Sequence, residues 1–89
     1  MINLTGKHIY IAGGSRGIGA ASAKLIAQAG ADVSISYVSN KGAADSVVNA
    51  IERLGRKAYA IKADISDETQ AESAVDEAVA KYSHAPNIQ

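Results

Sequence analysis

The sequence predicts an α/β fold in which about three parallel strands form one sheet of order 3-2-1, with helices on both faces. Three observations lead there. Short β-prone runs alternate with stretches whose apolar residues recur at helical spacing. Glycines at positions 13, 30 and 55 punctuate the switches between the two patterns. A chain of 89 residues leaves room for one hydrophobic core.

The first element, β1, is the apolar, β-branched segment Lys7 to Ala12, which stops at Gly13-Gly14 as a buried strand would. From Gly17 or Ile18 the apolar residues Ile18, Ala21, Leu25, Ile26 and Ala29 form the stripe of a helix, α1, closed by Gly30. Asp32 to Tyr37 alternates Val, Ser, Ile, Ser, Tyr and is predicted as β2. Ala44, Val47, Val48, Ile51 and Leu54 define α2, which ends at Gly55. Lys57 to Ala63 is too short for a helix and is read as β3. Ser66 is expected to cap α3, with Asp67 and Glu68 favoured at its positive end. Its apolar face is Ala71, Val75, Ala78, Val79 and Tyr82. The expected organisation is therefore one domain over residues 1–82 and an irregular tail, 83–89, in which Pro86 discourages helix.

Composition narrows the partners. Nine Lys+Arg balance nine Asp+Glu, so no net field attracts nucleic acid or an anionic membrane. No uninterrupted apolar stretch is longer than Ile9 to Ala12, far below the roughly 20 residues of a membrane span, and a cytoplasmic protein is expected. Cysteine is absent, and His8 and His84 lie at opposite ends of the chain, so no metal site is expected. Both histidines are read as ordinary strand and tail residues. The core must be filled by aliphatics and many alanines, which bury little area per residue and predict marginal stability.

The informative segment is Ala12-Gly13-Gly14-Ser15-Arg16-Gly17-Ile18-Gly19, which leaves a strand and opens a helix. Phosphate oxygens approach backbone amides closely only where no Cβ intervenes, and the helix N-terminus that follows stabilises an anion. Neither Gly-x-Gly-x-x-Gly nor a Walker loop is present, because Gly19 is followed by Ala20-Ala21. The spacing present is Gly-x-x-x-Gly-x-Gly. In this it resembles the short-chain dehydrogenase/reductase family, whose first strand runs into Thr-Gly-x-x-x-Gly-x-Gly. Gly13, Gly17 and Gly19 take the three glycine positions, and Ala12 replaces the threonine whose hydroxyl helps hold the loop in that family. The likeness runs through Tyr82 and is greatest to the 3-oxoacyl-carrier-protein reductase and glucose dehydrogenase branches.

The resemblance implies a half-Rossmann domain that binds a dinucleotide. The cofactor-binding residues it points to are Gly13, Ser15, Arg16, Gly17, Ile18, Gly19, Val38, Ser39, Asp64 and Ile65, with Asp64 and Ile65 contacting adenine. An NAD site usually carries an acidic residue at the end of β2; here that place is Tyr37-Val38-Ser39. With Arg16 in the loop and Lys41 nearby, NADP is favoured over NAD. A plain rival is a glycine turn that serves packing alone. Asp64 as a phospho-acceptor is a poorer one, since the acidic pair such a receiver needs after β1 is replaced by Gly13-Gly14.

The family's later Asn-Asn-Ala-Gly strand and its catalytic Ser and Tyr-x-x-x-Lys do not follow Tyr82. Tyr37 and Lys41 match the spacing only, because they straddle the end of β2 and the approach to α2, whereas the chemistry needs both on one helix face. The expectation is a truncated short-chain dehydrogenase/reductase, an oxidoreductase by family, that retains the adenosine and pyrophosphate half-site without catalytic residues and is inactive alone. The alternatives are a non-catalytic nucleotide-binding module and an interaction module. In the last, the unpaired edge of β1 drives homo-oligomer formation, and a charge at Tyr10 abolishes association while sparing the fold.

Overall fold

The structure, a computed structural model, describes residues 3–15 and 17–83. Among these residues the elements are β1 (His8–Ile11), α1 (Gly17–Gln28), β2 (Asp32–Tyr37), α2 (Lys41–Arg53), β3 (Ala58–Lys62) and α3 (Glu68–Ser83). The strands are parallel in the order β1-β2-β3, so β2 is paired on both sides. His8 lies beside Asp32 and Ile11 beside Ile35, while Val33 lies beside Ala58 and Tyr37 beside Lys62. This is the half-Rossmann arrangement the sequence implies. Residues 84–89, with His84 and Pro86, lie outside the described residues, as does Arg16.

Successive right-handed crossovers in one direction place α1 and α2 on the same face of the sheet. There Ala23 and Ala27 of α1 and Ala44, Val47 and Ile51 of α2 pack on Val33, Ile35, Tyr37 and Ala58. The opposite face carries α3, which touches both β3 and β1. Its core is smaller: Ala74 and Ala78 meet Ile61 and Ala63, with Tyr10 half-buried beside them. No described helix is long and apolar enough to cross a membrane.

The α2 face is the expected one, with Ala44, Val47 and Ile51 buried, but the faces of α1 and α3 differ from expectation. In α1 the side turned to the sheet carries Ala23 and Ala27, while Ile18 and Leu25 are 87% and 65% exposed. In α3 Ala74 and Ala78 are buried, while Val75, Val79 and Tyr82 stay largely exposed. Both helices carry apolar residues on more than one side, so helical spacing alone fits several stripes. Close approach to the sheet selects the alanine stripe, whose small side chains let the backbones come together.

Two further corrections concern termini and edges. The α3 cap is Asp67, whose carboxylate accepts from the amides of Thr69 at 2.9 Å and Gln70 at 3.4 Å, whereas Ser66 turns back to Asp64. An acidic cap adds charge to the hydrogen bonds at the positive helix end, which a serine does not. β1 is half-buried throughout, where the sequence suggested a buried strand. Only β2 pairs with it among the described residues.

Candidate functional site

The carboxyl ends of the three parallel strands converge on a cleft of about 180 Å³. Gly13 and Ser15 enter it from the loop after β1, Ser36 to Asn40 from the end of β2, and Ala63 and Ile65 from the segment after β3. Open α/β sheets bind ligands at this end, because the loops there are free to vary over a rigid support. Asn40 fixes the start of α2 by accepting from the Ala43 amide at 2.9 Å.

The loop is held tightly on one side and open on the other. A Cβ on Gly19 would meet the Gly13 carbonyl oxygen at 2.5 Å and the Gly14 Cα at 2.9 Å, so α1 starts in direct contact with the loop it follows. One on Gly14 would meet Cγ2 of Ile35 at 2.5 Å. Gly13 and Gly17, both with positive φ, face open space within 4 Å of that position. The result is a bare backbone surface backed by packed atoms, the form an anion-binding loop requires.

Of the residues singled out from sequence, Gly13, Ser15, Val38, Ser39 and Ile65 line the cleft together. Gly17 and Gly19 shape the loop, and Ile18 projects outward from the first turn of α1. Arg16 lies outside the described residues. Asp64 is not among the cleft's lining residues. Its carboxylate accepts from the Ser66 hydroxyl at 2.6 Å and the Ser66 amide at 3.0 Å, and these bonds hold its pKa below the ordinary carboxylate value. Sequence reasoning missed Ser36, Tyr37, Asn40 and Ala63 as lining residues. The available signal was positional, since Ser36, Tyr37 and Ala63 sit at or next to strand ends that a parallel sheet must bring together, and Asn40 caps the helix that follows β2.

The end of β2 is free of acid: Val38, Ser39, Asn40 and Lys41 follow Tyr37. The Lys41 ammonium pairs with Asp45 at 2.9 Å, and that hydrogen bond and charge hold its pKa above the ordinary lysine value. Tyr37 is the last residue of β2 and packs into the core between the sheet and α2, whereas Lys41 opens α2 and is exposed. They do not share a helix face.

Residues 7–86 match the short chain dehydrogenase family. The chain belongs to that family. An uncharacterized oxidoreductase of Methylorubrum extorquens is 46% identical over 82 residues, covering 92% of this chain and 33% of that protein. An L-rhamnose 1-dehydrogenase (NAD(P)(+)) of a Sphingomonas species is 44% identical over 79 residues, 89% of this chain and 31% of its own length. Among solved structures, a short chain dehydrogenase from Burkholderia cenocepacia in complex with NADP superposes with a TM-score of 0.88 at 48% identity, covering 90% of this chain and 33% of that one. A blue fluorescent protein from a metagenomic library in complex with NADPH gives 0.86 at 44% identity, with 90% and 33% covered. The chain thus spans about a third of the length of the curated relatives it matches.

As a short chain dehydrogenase it fits the family's NAD(P) cofactor on its own geometry. The bare loop at Gly13 and Gly17 suits a pyrophosphate, and the mixed polar and apolar cleft between Gly13, Val38, Ser39 and Ile65 suits an adenosine. Those residues would hold the group, and the chemistry it supplies to the family is hydride transfer.

Proposed function

We propose that this chain forms the adenosine and pyrophosphate half of a dinucleotide site, that it prefers NADP to NAD, and that alone it carries out no hydride transfer. The observation that carries this reading is the convergence of the glycine loop, the end of β2 and the segment after β3 on one cleft. The preference for the 2′-phosphate rests on the absence of an acidic residue at Val38 to Lys41, on the cation of Lys41, and on Arg16 in the loop. The relatives solved with NADP and NADPH support the same choice. Inactivity of the chain alone is supported by Tyr37 and Lys41, which share no helix face on which the lysine could tune the phenol. We place this activity in the cytoplasm and assign it no nucleic-acid or membrane partner.

Calorimetric titration of the folded chain with NADP and NAD tests the reading. Micromolar binding with NADP preferred, weakened by Gly17→Val and by Arg16→Ala, is the expected result. A cooperatively folded chain that takes up neither dinucleotide would refute it, and NADPH-dependent carbonyl reduction by pure material would refute the inactivity.

A second reading, self-association through β1, is favoured by a specific surface. The edge of β1 left unpaired among the described residues borders an apolar groove of about 160 Å³ between His8 and Tyr10 on the strand and Val75, Val79 and Tyr82 on α3. Two copies paired antiparallel along β1 would join their sheets and cover both grooves. Tyr10 is a poor probe of this, because it packs against the core under α3 and a charge there would disrupt the fold. Val79 is 56% exposed, so Val79→Lys tests the surface while sparing the core. Sedimentation should show a dimer for the natural chain and a monomer for Val79→Lys; a monomer for both excludes the reading.

A further inference from the structure

We infer that Ser36 is the residue that positions the glycine loop for a bound dinucleotide, an inference that rests on the cofactor reading above. The Gly13 amide donates to the Ser36 hydroxyl oxygen at 2.8 Å. Ser36 is 1% exposed and sits in β2, the strand paired on both sides and therefore the stiffest support in the sheet. The residue before the loop, Ala12, has no hydroxyl with which to brace it.

Two adjacent residues of β2, pointing to opposite faces, hold two adjacent residues of the loop. Ile35 packs beneath Gly14 so closely that no Cβ fits between them, and Ser36 ties Gly13 by its hydrogen bond. Contact alone leaves the loop free to twist about Gly13, whose φ of 74° lies where glycine is loosely restrained. The hydrogen bond removes that freedom. Amides act as a preorganised anion cradle only when their directions are fixed before the ligand arrives. The Gly13 amide is spent on Ser36, so the phosphate-facing donors lie further along the loop.

Ser34 supplies a matched control. It lies two residues back on the same face, is equally buried, and shares a 2.7 Å hydrogen bond with His8 Nε2 at the start of β1, away from the loop. Both Ser→Ala changes remove one buried hydroxyl from the central strand, so their effects on global stability should be similar. Only Ser36→Ala should free the loop. The experiment combines NADP titration with amide hydrogen exchange of Gly13, read by NMR, in the natural chain, Ser36→Ala and Ser34→Ala. Loss of one net hydrogen bond predicts about fivefold weaker NADP binding for Ser36→Ala than for Ser34→Ala. The Gly13 amide should be protected in the natural chain and in Ser34→Ala, and should exchange faster in Ser36→Ala.

Equal losses of affinity in the two variants would overturn the inference. So would a Gly13 amide that is unprotected in the natural chain, a measurement that stands even if Ser36→Ala fails to fold. A natural chain that binds neither dinucleotide sinks the cofactor reading by itself. The exchange data then still decide the anchor, since acceleration confined to Ser36→Ala supports it and equal exchange in all three rejects it.

Discussion

Replacing Gly19 by alanine sets two effects of opposite sign against each other. Within a helix, Gly→Ala gains up to about 1 kcal/mol from reduced backbone entropy. Here the added Cβ would meet the Gly13 carbonyl oxygen at 2.5 Å and the Gly14 Cα at 2.9 Å. Both are backbone atoms of the loop, so neither can rotate aside. Reaching ordinary contact requires a displacement of about 0.9 Å, and forcing extra volume into a packed site costs about 1–3 kcal/mol. Two backbone atoms must move at once, which puts the cost at the upper end, about 2–3 kcal/mol, so the steric term wins and a net loss of about 1–2 kcal/mol is expected. Because the loop must move away from α1, dinucleotide binding should weaken with it. Gly42→Ala is the internal comparison: it also lies in the first turn of a helix, but its nearest neighbour would be Asn40 Oδ1 at 3.6 Å, an ordinary contact. That change should stabilise by about 0.5–1 kcal/mol. Urea unfolding measures both, and with a slope of about 1 kcal/mol per molar for so small a chain, Gly19→Ala should lower the midpoint by about 1 M or more. A Gly19→Ala midpoint equal to or above that of the natural chain would refute the reasoning.

Three other outcomes follow from the same structure. Asp67→Ala should cost about 1 kcal/mol by urea unfolding through loss of the α3 cap, with Ser66→Ala costing less. Burial lowers the pKa of His8 from its ordinary 6.5, against a smaller upward pull from Asp32. The unfolded chain therefore binds the proton more readily, and stability should be full above pH 6.5 and fall as the pH drops below it toward the folded value. The difference between the natural chain and His8→Gln isolates this slope. Asp45→Asn should release Lys41 toward the cleft and raise the NADP-to-NAD affinity ratio by about two- to fivefold, the scale of one exposed charge pair, as read by parallel titrations.

The six elements were legible because periodicity changed at each switch and glycine marked three of them, at positions 13, 30 and 55, and β2 falls on Asp32–Tyr37 as read. The α2 face was legible too, with Ala44, Val47 and Ile51 buried as read, but the faces of α1 and α3 were not, because alanine is compatible with both a surface and a core, and only contact with the sheet distinguishes Ala23 from Ala21. The α3 cap was ambiguous for a related reason: Ser66 and Asp67 are both good caps, and Ser66 is drawn away by the Asp64 carboxylate. The glycine loop was readable because steric needs fix its residue types. The role of Ser36 was hidden by the alternating pattern of β2, which looks like a strand with one wet face. A parallel sheet covers both faces, so Ser34 and Ser36 are fully buried and each needs a partner, found in His8 and Gly13.

The two cores on either side of the sheet are unequal, with the larger under α1 and α2 and the smaller under α3. Local opening follows the thinner layer of apolar contact, so α3 is expected to detach at a lower free energy than α1 or α2. When it lifts, the face of β2 bearing Ser34 and Ser36 meets solvent while α1, α2 and their strands stay assembled. Water would then compete for the Ser36 hydroxyl, and the glycine loop would loosen without the chain unfolding. The tightness of the loop is thereby coupled to the docking of a helix on the opposite face, and whatever steadies α3 would also stiffen the cradle.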